Sequence, residues 1–278
     1  MPIKINLKEI KLVVSDLDGT LLNSDGVLHP YTKEIIAKLG DFGILFTLAS
    51  GRNMPGIRAY AEELKVKIPL ILANGCIIQS LNGQIHHRSS IPEAITRKVL
   101  AITDREGNDV IAFVDDRMYY KQRSANIESV LGKLKDGIIE VGSWQQAEEI
   151  IPDVNKLMIV DWEDVARLDY LEHIFAVELN HQADYLRNNL HHLDIMPKGV
   201  SKATGLAALA QELGIQMHEV LAFGDFDNDA EMLAQAGVGV AVANASEQAK
   251  SRADLIIGSC AENGPAMFLE KLYAGYCP

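Results

Sequence analysis

Two aspartates, Asp16 and Asp18 in the run Asp16-Leu17-Asp18-Gly19-Thr20, follow the apolar stretch Leu12-Val13-Val14. Alternate side chains on an extended segment share a face, so the two carboxylates are expected side by side. Like charges placed this way are unfavourable unless a cation or a proton compensates. A strand running into an Asp-Gly turn explains Asp18 and Gly19, but it gives no reason for Asp16 against the apolar stretch. The pair therefore reads as acid–base or metal chemistry at the carboxyl end of a strand, where open α/β sheets bind ligands.

Three more clusters follow apolar runs in the same manner. Ser50-Gly51-Arg52 comes after the run 44–49. A small hydroxyl and a glycine between strand and helix can bring backbone amides to an anion, although an ordinary strand-to-helix turn uses the same residues. Lys202 follows Ser201, an N-cap candidate, and so falls in a first helical turn, where its charge opposes the dipole. A phosphate would be attracted by both. A solvated surface lysine is the plain alternative, and Lys198 competes for the role. Gly224-Asp225-Phe226-Asp227-Asn228-Asp229 follows the run 220–223. A capping box of Asn228 with Glu231 would explain part of this cluster, but not Asp225, which ends a strand as Asp16 does. Such oxygen ligands suit a hard divalent cation.

The elements that must position these clusters alternate. Strands are expected at 12–16, 44–49 and 70–73, with helices at 32–42 and 55–64 between them, which is the βαβαβ pattern of a parallel sheet with right-handed crossovers. Asn74-Gly75 and Asn82-Gly83 then signal hairpins. From about 89 to 190 the order reads helix (92–105), hairpin (110–114 with 118–121), helix, strand (156–160), helix (163–174), strand (177–180). After Pro197 the α/β pattern returns, with a helix at 202–213, strands at 220–223, 238–242 and 255–257, and a helix at 230–236. The expected fold class is α/β, a doubly wound, mainly parallel Rossmann-like core over 1–83 and 193–278, with an inserted α+β domain over 84–192.

Composition narrows the function. The chain has 278 residues, 48% hydrophobic, ample for such a core. A net charge of -12 argues against nucleic acid and gives no attraction to anionic lipid. Cys76, Cys260 and Cys277 show no Cys-x-x-Cys spacing, and no signal-peptide core or membrane-length apolar run is present, so the expected setting is the reducing cytoplasm. No protein partner is evident. His86-His87 and His191-His192 are poor chelates, since neighbours on a strand face opposite ways. Gly237-Val238-Gly239 enters a strand rather than a helix, so it is no dinucleotide loop. The charge run 161–169 reads as a solvated helix face, and Trp144, Trp162 and Tyr185 as packing residues.

Taken together and in order, Asp16-x-Asp18-Gly19-Thr20, Ser50-Gly51-Arg52, Lys202 and Gly224-Asp225-x-x-Asn228-Asp229 resemble the four signature motifs of the haloacid dehalogenase superfamily. The long insert and the run Met196-Pro197-Lys198-Gly199-Val200-Ser201-Lys202 resemble its Cof-type branch with a C2B cap; Phe226 stands where relatives carry a small or polar residue. The resemblance implies an Mg²⁺-dependent phosphatase of small phosphomonoesters, sugar phosphates by default. Asp16 would be the nucleophile forming an aspartyl-phosphate, and Asp18 the acid and base. Asp16, the Asp18 carbonyl, Asp225 and Asp229 would serve the metal. Ser50, Lys202, Asn228 and Thr20, with the amides of Leu17 and Gly51, would hold the phosphoryl group. A phosphosugar mutase of the same superfamily and a phospho-accepting regulatory protein are the alternatives.

Overall fold

The apolar stretch before Asp16 forms a strand whose four residues are all buried. In the computed structural model, which describes residues 5–23, 25–132 and 136–275, the elements before the insert are β1 (Leu12–Ser15), α1 (Pro30–Ala37), β2 (Leu45–Leu48), α2 (Met54–Glu63), β3 (Leu70–Leu72), β4 (Ile77–Gln79) and β5 (Ile85–Arg88). Next come α3 (Glu93–Glu106), β6 (Asp109–Val114), β7 (Arg117–Tyr120), α4 (Ala125–Leu131), β8 (Ile138–Glu140), β9 (Lys156–Val160), α5 (Val165–Glu178), β10 (Ala183–Asn189) and β11 (His192–Pro197). The chain finishes with α6 (Lys202–Leu213), β12 (Val220–Gly224), α7 (Ala230–Gln235), β13 (Val238–Val242), α8 (Glu247–Arg252), β14 (Leu255–Ile257) and α9 (Gly264–Tyr273). Cys277 lies outside the described residues.

The chain divides into two units, one taking residues up to Gly51, Ile57–His86 and Ser201 onward, the other Arg52–Gly56 and His87–Val200. In the first unit a parallel sheet runs in the order β14-β13-β12-β1-β2. The chain moves outward from β1 to β2 on one side and from β12 to β14 on the other. The order therefore reverses between β1 and β12, and Asp16 and Asp225 follow the carboxyl ends of these two strands. An open α/β sheet binds its ligand at such a reversal. Leu12 and Val14 of β1 and Val220 and Ala222 of β12 pack with Leu206 and Leu209 of α6 and Met232 and Leu233 of α7. Each buried leucine or valine contributes about 1.5–3 kcal/mol.

The third expected parallel strand is only partly such. β3 meets the end of β2 through one parallel bridge, Ala49 to Ile71, and its other edge pairs antiparallel with β4. The Asn-Gly signals are realised as the turns of the β3-β4-β5 meander. His86 on β5 is pinned rather than chelating: its ring nitrogens bond Ser80 Oγ at 2.8 Å and Glu212 Oε1 of α6 at 2.6 Å.

The second unit holds a six-stranded sheet, β10-β11-β9-β6-β7-β8, antiparallel except for the β7–β8 pair. One face buries Leu157, Ile159 and Ile195 under α3, α5 and Trp144; the other buries Ile111, Phe113 and Met158 with Ile127 and Leu131 of α4. Three expectations change here. The strand expected at 177–180 is the end of α5, because Leu171, Phe175 and Leu179 keep the helical spacing and are buried. The hairpin β10–β11 was not anticipated. Since β11 pairs with both β10 and β9, the first unit resumes at Ser201, against an expected return at 193. Asp161, expected in solvent, is buried and accepts the amides of Glu163 and Asp164. Trp162 packs on the His191 ring, centroids 4.1 Å apart. Among the described residues no helix is long and apolar enough to cross a membrane.

Two glycines separate backbone strain from close approach. Gly75 (φ +98°) lies against the start of α6: a Cβ there would stand 2.1 Å from the Ser201 carbonyl oxygen. Gly83 (φ +92°) has open space around it. Gly83→Ala is expected to cost about 1 kcal/mol, and Gly75→Ala about 2–3 kcal/mol or more, as read from urea unfolding. Equal costs would mean that backbone strain alone, and no packing against α6, selects Gly75.

Candidate active site

β1 ends at Ser15, and the Asp16 amide extends its ladder by donating to the Phe223 carbonyl of β12 at 2.9 Å. Asp16 is buried; Asp18 lies in the following turn and is exposed. The alternation argument that set the two carboxylates on one strand face fails at Asp18, because the strand stops before it. The Leu17 carbonyl accepts the amides of Leu21 and Leu22, each at 3.0 Å, which closes the turn. Gly19 (φ +78°) is required within it, since a Cβ there would stand 2.3 Å from Asp225 Oδ2. Thr20 is buried and donates its hydroxyl to Asp225 Oδ1 at 3.0 Å. Thr20, expected among the phosphate-holding groups, meets a carboxylate of the cluster here.

α6 begins at Lys202, and the Ser201 cap is present: its Oγ accepts the Thr204 amide at 3.3 Å, while Thr204 Oγ1 accepts the Ser201 amide at 2.9 Å. Lys202 is buried, and its Nζ bonds Asp16 Oδ1 at 2.6 Å and Asp229 Oδ1 at 2.7 Å. The other oxygen of Asp229 accepts the amides of Asp225 and Phe226 at 3.0 and 3.1 Å, so one carboxylate shapes the whole turn after β12. Glu231 does not cap Asn228; it accepts the Ser201 hydroxyl at 2.8 Å. Lys198, the competitor for Lys202, is exposed and pairs with Asp184 of β10.

Carboxylate oxygens of Asp16, Asp225 and Asp229 lie within 4.8 Å of one another. Against these three potential negative charges stands, among the described residues, the ammonium of Lys202, which leaves two negative charges when all are ionised. The titration of the groups follows. Burial raises the Asp16 carboxyl well above its usual range; Lys202 opposes the rise, while Asp229, Asp225 and Asp18 add to it. Burial and the Asp229 charge push Asp225 up to about 6, against the hydrogen bond from Thr20. Lys202 is raised: burial favours its neutral form, but Asp16 and Asp229 outweigh it. A divalent cation among oxygen donors would cancel the excess charge, and the donor set fits a hard ion such as Mg²⁺. The Asp18 carboxylate is outside this cluster.

Ser50, Gly51 and Asn228 lie around Asn74 of the first Asn-Gly turn, Ser50 at its backbone and the other two at its side chain. Asn74 is buried in the left-handed region (φ 57°). Its amide donates to the Ser50 carbonyl at 2.9 Å, and its Oδ1 accepts Asn228 Nδ2 at 3.1 Å. A Cβ at Gly51 would stand 3.1 Å from the same oxygen. Asn74 thus joins the second motif to the fourth. The Asn-Gly pair explains its backbone so fully that the sequence holds no separate sign of the side chain's role.

Comparison with known proteins agrees with this geometry. A family model described as haloacid dehalogenase-like hydrolase matches residues 13–269. The chain is 27% identical over 270 residues to a 5-amino-6-(5-phospho-D-ribitylamino)uracil phosphatase of Bacillus subtilis, covering 95% of this chain and 97% of the relative. It is 29% identical over 266 residues to an HMP-PP phosphatase of Escherichia fergusonii, covering 93% and 94%. A haloacid dehalogenase-like hydrolase from Bacteroides thetaiotaomicron has the same fold, with a TM-score of 0.85 at 27% identity over 95% of this chain and 99% of that one. With the match spanning both units and all four motifs, the chain belongs to the haloacid dehalogenase-like hydrolases.

Proposed function

We propose that this chain is a phosphatase of small phosphorylated metabolites that works through a phosphorylated Asp16. The observation that carries the reading is the buried contact of Asp16 with Lys202 and Asp229 beside Asp225. A carboxylate is a weak nucleophile and shares its sign with a phosphate. It can attack only where fixed positive charge lowers the repulsion. Lys202, held protonated by its two partners, supplies part of that charge and is within reach of the oxygen that would attack.

In the first half-reaction an Asp16 oxygen forms a bond to phosphorus as the ester oxygen leaves, and Asp18 gives that oxygen its proton. In the second, Asp18 takes a proton from water, whose oxygen attacks phosphorus and returns Asp16 as a carboxylate. The exposure of Asp18 suits a group that exchanges protons with leaving group and water in turn. Asp16, the Asp18 carbonyl and Asp225 would hold Mg²⁺, with Asp229 behind them. The ion would supply charge neutralisation at the phosphoryl oxygens, which a loose phosphoryl-transfer transition state needs more than covalent help. Ser50, Asn228 and the amides of Leu17 and Gly51 are assigned to the phosphoryl oxygens, and Thr20 to the orientation of Asp225. We assign the two units to a hydrolase core and an inserted cap that selects the leaving group. Two relatives are named for phosphorylated metabolites, one a ribityl-uracil phosphate, which supports a small-molecule substrate. We place the enzyme in the cytoplasm, where the thiols of Cys76 and Cys260 persist.

The function is tested by phosphate release from a panel of sugar, nucleotide and pyrimidine phosphomonoesters, with Mg²⁺ and with excess EDTA. Metal-dependent release is expected. Transfer to another hydroxyl without release would make the protein a mutase. Asp16→Asn should lower turnover at least about 1,000-fold, since no nucleophile remains, while the circular dichroism spectrum is kept; substantial residual turnover would remove Asp16 from the role.

The pH dependence follows from Asp225. Its folded pKa of about 6 is above the unfolded carboxylate value, so between roughly pH 4 and 6 the folded metal-free protein carries the extra proton. Its contribution to metal-free stability is present at low pH and is lost as pH rises through about 6. A divalent cation competes with that proton. The rise in Tm produced by Mg²⁺ should therefore be small below about pH 6 and grow as pH rises above it, as Asp225 and then the raised Asp16 carboxyl give up their protons. A rise independent of pH from 5 to 8 would sink this account.

A further inference from the structure

The turn after β13 grips both acidic turns of the site, and none of its residues belongs to the four motifs. Asn244 Nδ2 donates to the Gly19 carbonyl oxygen at 2.8 Å, and Asn244 Oδ1 accepts the Cys260 amide at 2.9 Å. Further along the turn, the Ser246 amide donates to the Asp225 carbonyl at 2.7 Å. The Ser246 hydroxyl donates to Asp227 Oδ1 at 2.6 Å and accepts the Ala249 amide at 3.1 Å, capping α8. β12 separates β13 from β1 in the sheet, so Asn244 reaches past β12 to the turn that follows β1.

We infer that Asn244 is a positioning residue for the metal-binding carboxylates: its carboxamide fixes how closely the Asp16–Thr20 turn stands to Asp225. The inference rests on the metal-dependent reading above. The Gly19 position already meets the Asp225 carboxylate, and Thr20 bonds that same carboxylate. Wherever the turn stands, Asp225 is aimed accordingly. Lys202 ties Asp16 to Asp229, while the three carboxylates repel one another. The far end of the turn, at Gly19 and Thr20, is held by neutral groups, Asn244 on the Gly19 carbonyl and the Thr20 hydroxyl on Asp225. A carboxamide has a donor and an acceptor on one rigid plane. Asn244 spends the donor on Gly19 and the acceptor on Cys260, which sets the plane's orientation from both ends. Ser246 holds the other acidic turn from the same short segment. The two turns are thereby referenced to one piece of backbone. Asn244 is exposed and buries little surface, so its removal should disturb the geometry of the cluster more than the stability of the fold.

The test is Mn²⁺ binding to the whole, metal-stripped protein, followed through the EPR signal of the free ion, for the wild type, Asn244→Ala and Asn244→Asp. The aspartate keeps an acceptor for the Cys260 amide but loses the donor to Gly19. Both variants are expected to bind Mn²⁺ about 3- to 10-fold more weakly, the effect of losing the hydrogen bond to Gly19 that both lack, with a metal-free Tm unchanged within about 2 °C. Asn244→Ala binding as tightly as the wild type overturns the inference, and so does wild-type affinity in Asn244→Asp. A wild type that binds no Mn²⁺ overturns the metal reading itself, a result that these two outcomes do not share.

Discussion

The organising constraint in this protein is an excess of negative charge inside it. Asp16, Asp225 and Asp229 converge at the carboxyl ends of two adjacent strands, and among the described residues Lys202 is the cation that bonds them. Burying a charge without a partner is costly, and a stable fold would ordinarily avoid the arrangement or neutralise it. Burial and, after it, the neighbouring carboxylates raise the carboxyls of Asp16 and Asp225. The same crowding suits the place to a divalent cation, which would cancel the excess charge.

Much of the first unit serves to hold this cluster in spite of its repulsion. The parallel sheet sets Asp16 and Asp225 one strand apart. α6 carries Lys202 to them from its first turn, and Gly75 lets that turn come close. Asp229 is held at both oxygens, by Lys202 on one and two backbone amides on the other. Such a carboxylate is already satisfied and can act as a fixed support. Asp225 has the hydroxyl of Thr20 on one oxygen and stands next to it, less buried. The difference in hydrogen bonding suits Asp225 to receive a ligand and Asp229 to hold the frame.

How much of this was legible in the sequence depended on whether a residue broke a local rule. Asp16 and Asp225 end buried strands, and Lys202 opposes a helix dipole; each is locally unfavourable, and each was found. Asn74, Asn244 and Ser246 were not. An asparagine in an Asn-Gly turn and a serine at a helix start are locally favourable, so their additional contacts leave no trace in the pattern. Asp18 does not share a strand face with Asp16 as expected, because the sequence does not show that β1 stops at Ser15. The Val177 region misled for a related reason: a β-branched residue resembles a strand, and only the burial of Leu171, Phe175 and Leu179 shows that the helix continues.

The second buried lysine shows why counting partners matters. Lys156 on β9 bonds Asp194 on β11 at 2.9 Å, both side chains fully buried, with the ammonium 4.3 Å from the Phe113 ring centroid. Here one ammonium meets one carboxylate on the paired strands β9 and β11, and the charges cancel locally. Removing either partner would leave a buried charge, a loss of about 3–5 kcal/mol. Yet the pair generates no demand for an ion, and no third carboxylate is grouped with it among the described residues. Lys156 and Lys202 are both hidden from solvent, and both are bonded to buried carboxylates. What separates the two lysines is the charge left over once their bonds are made: none beside Lys156, and two carboxylates' worth beside Lys202.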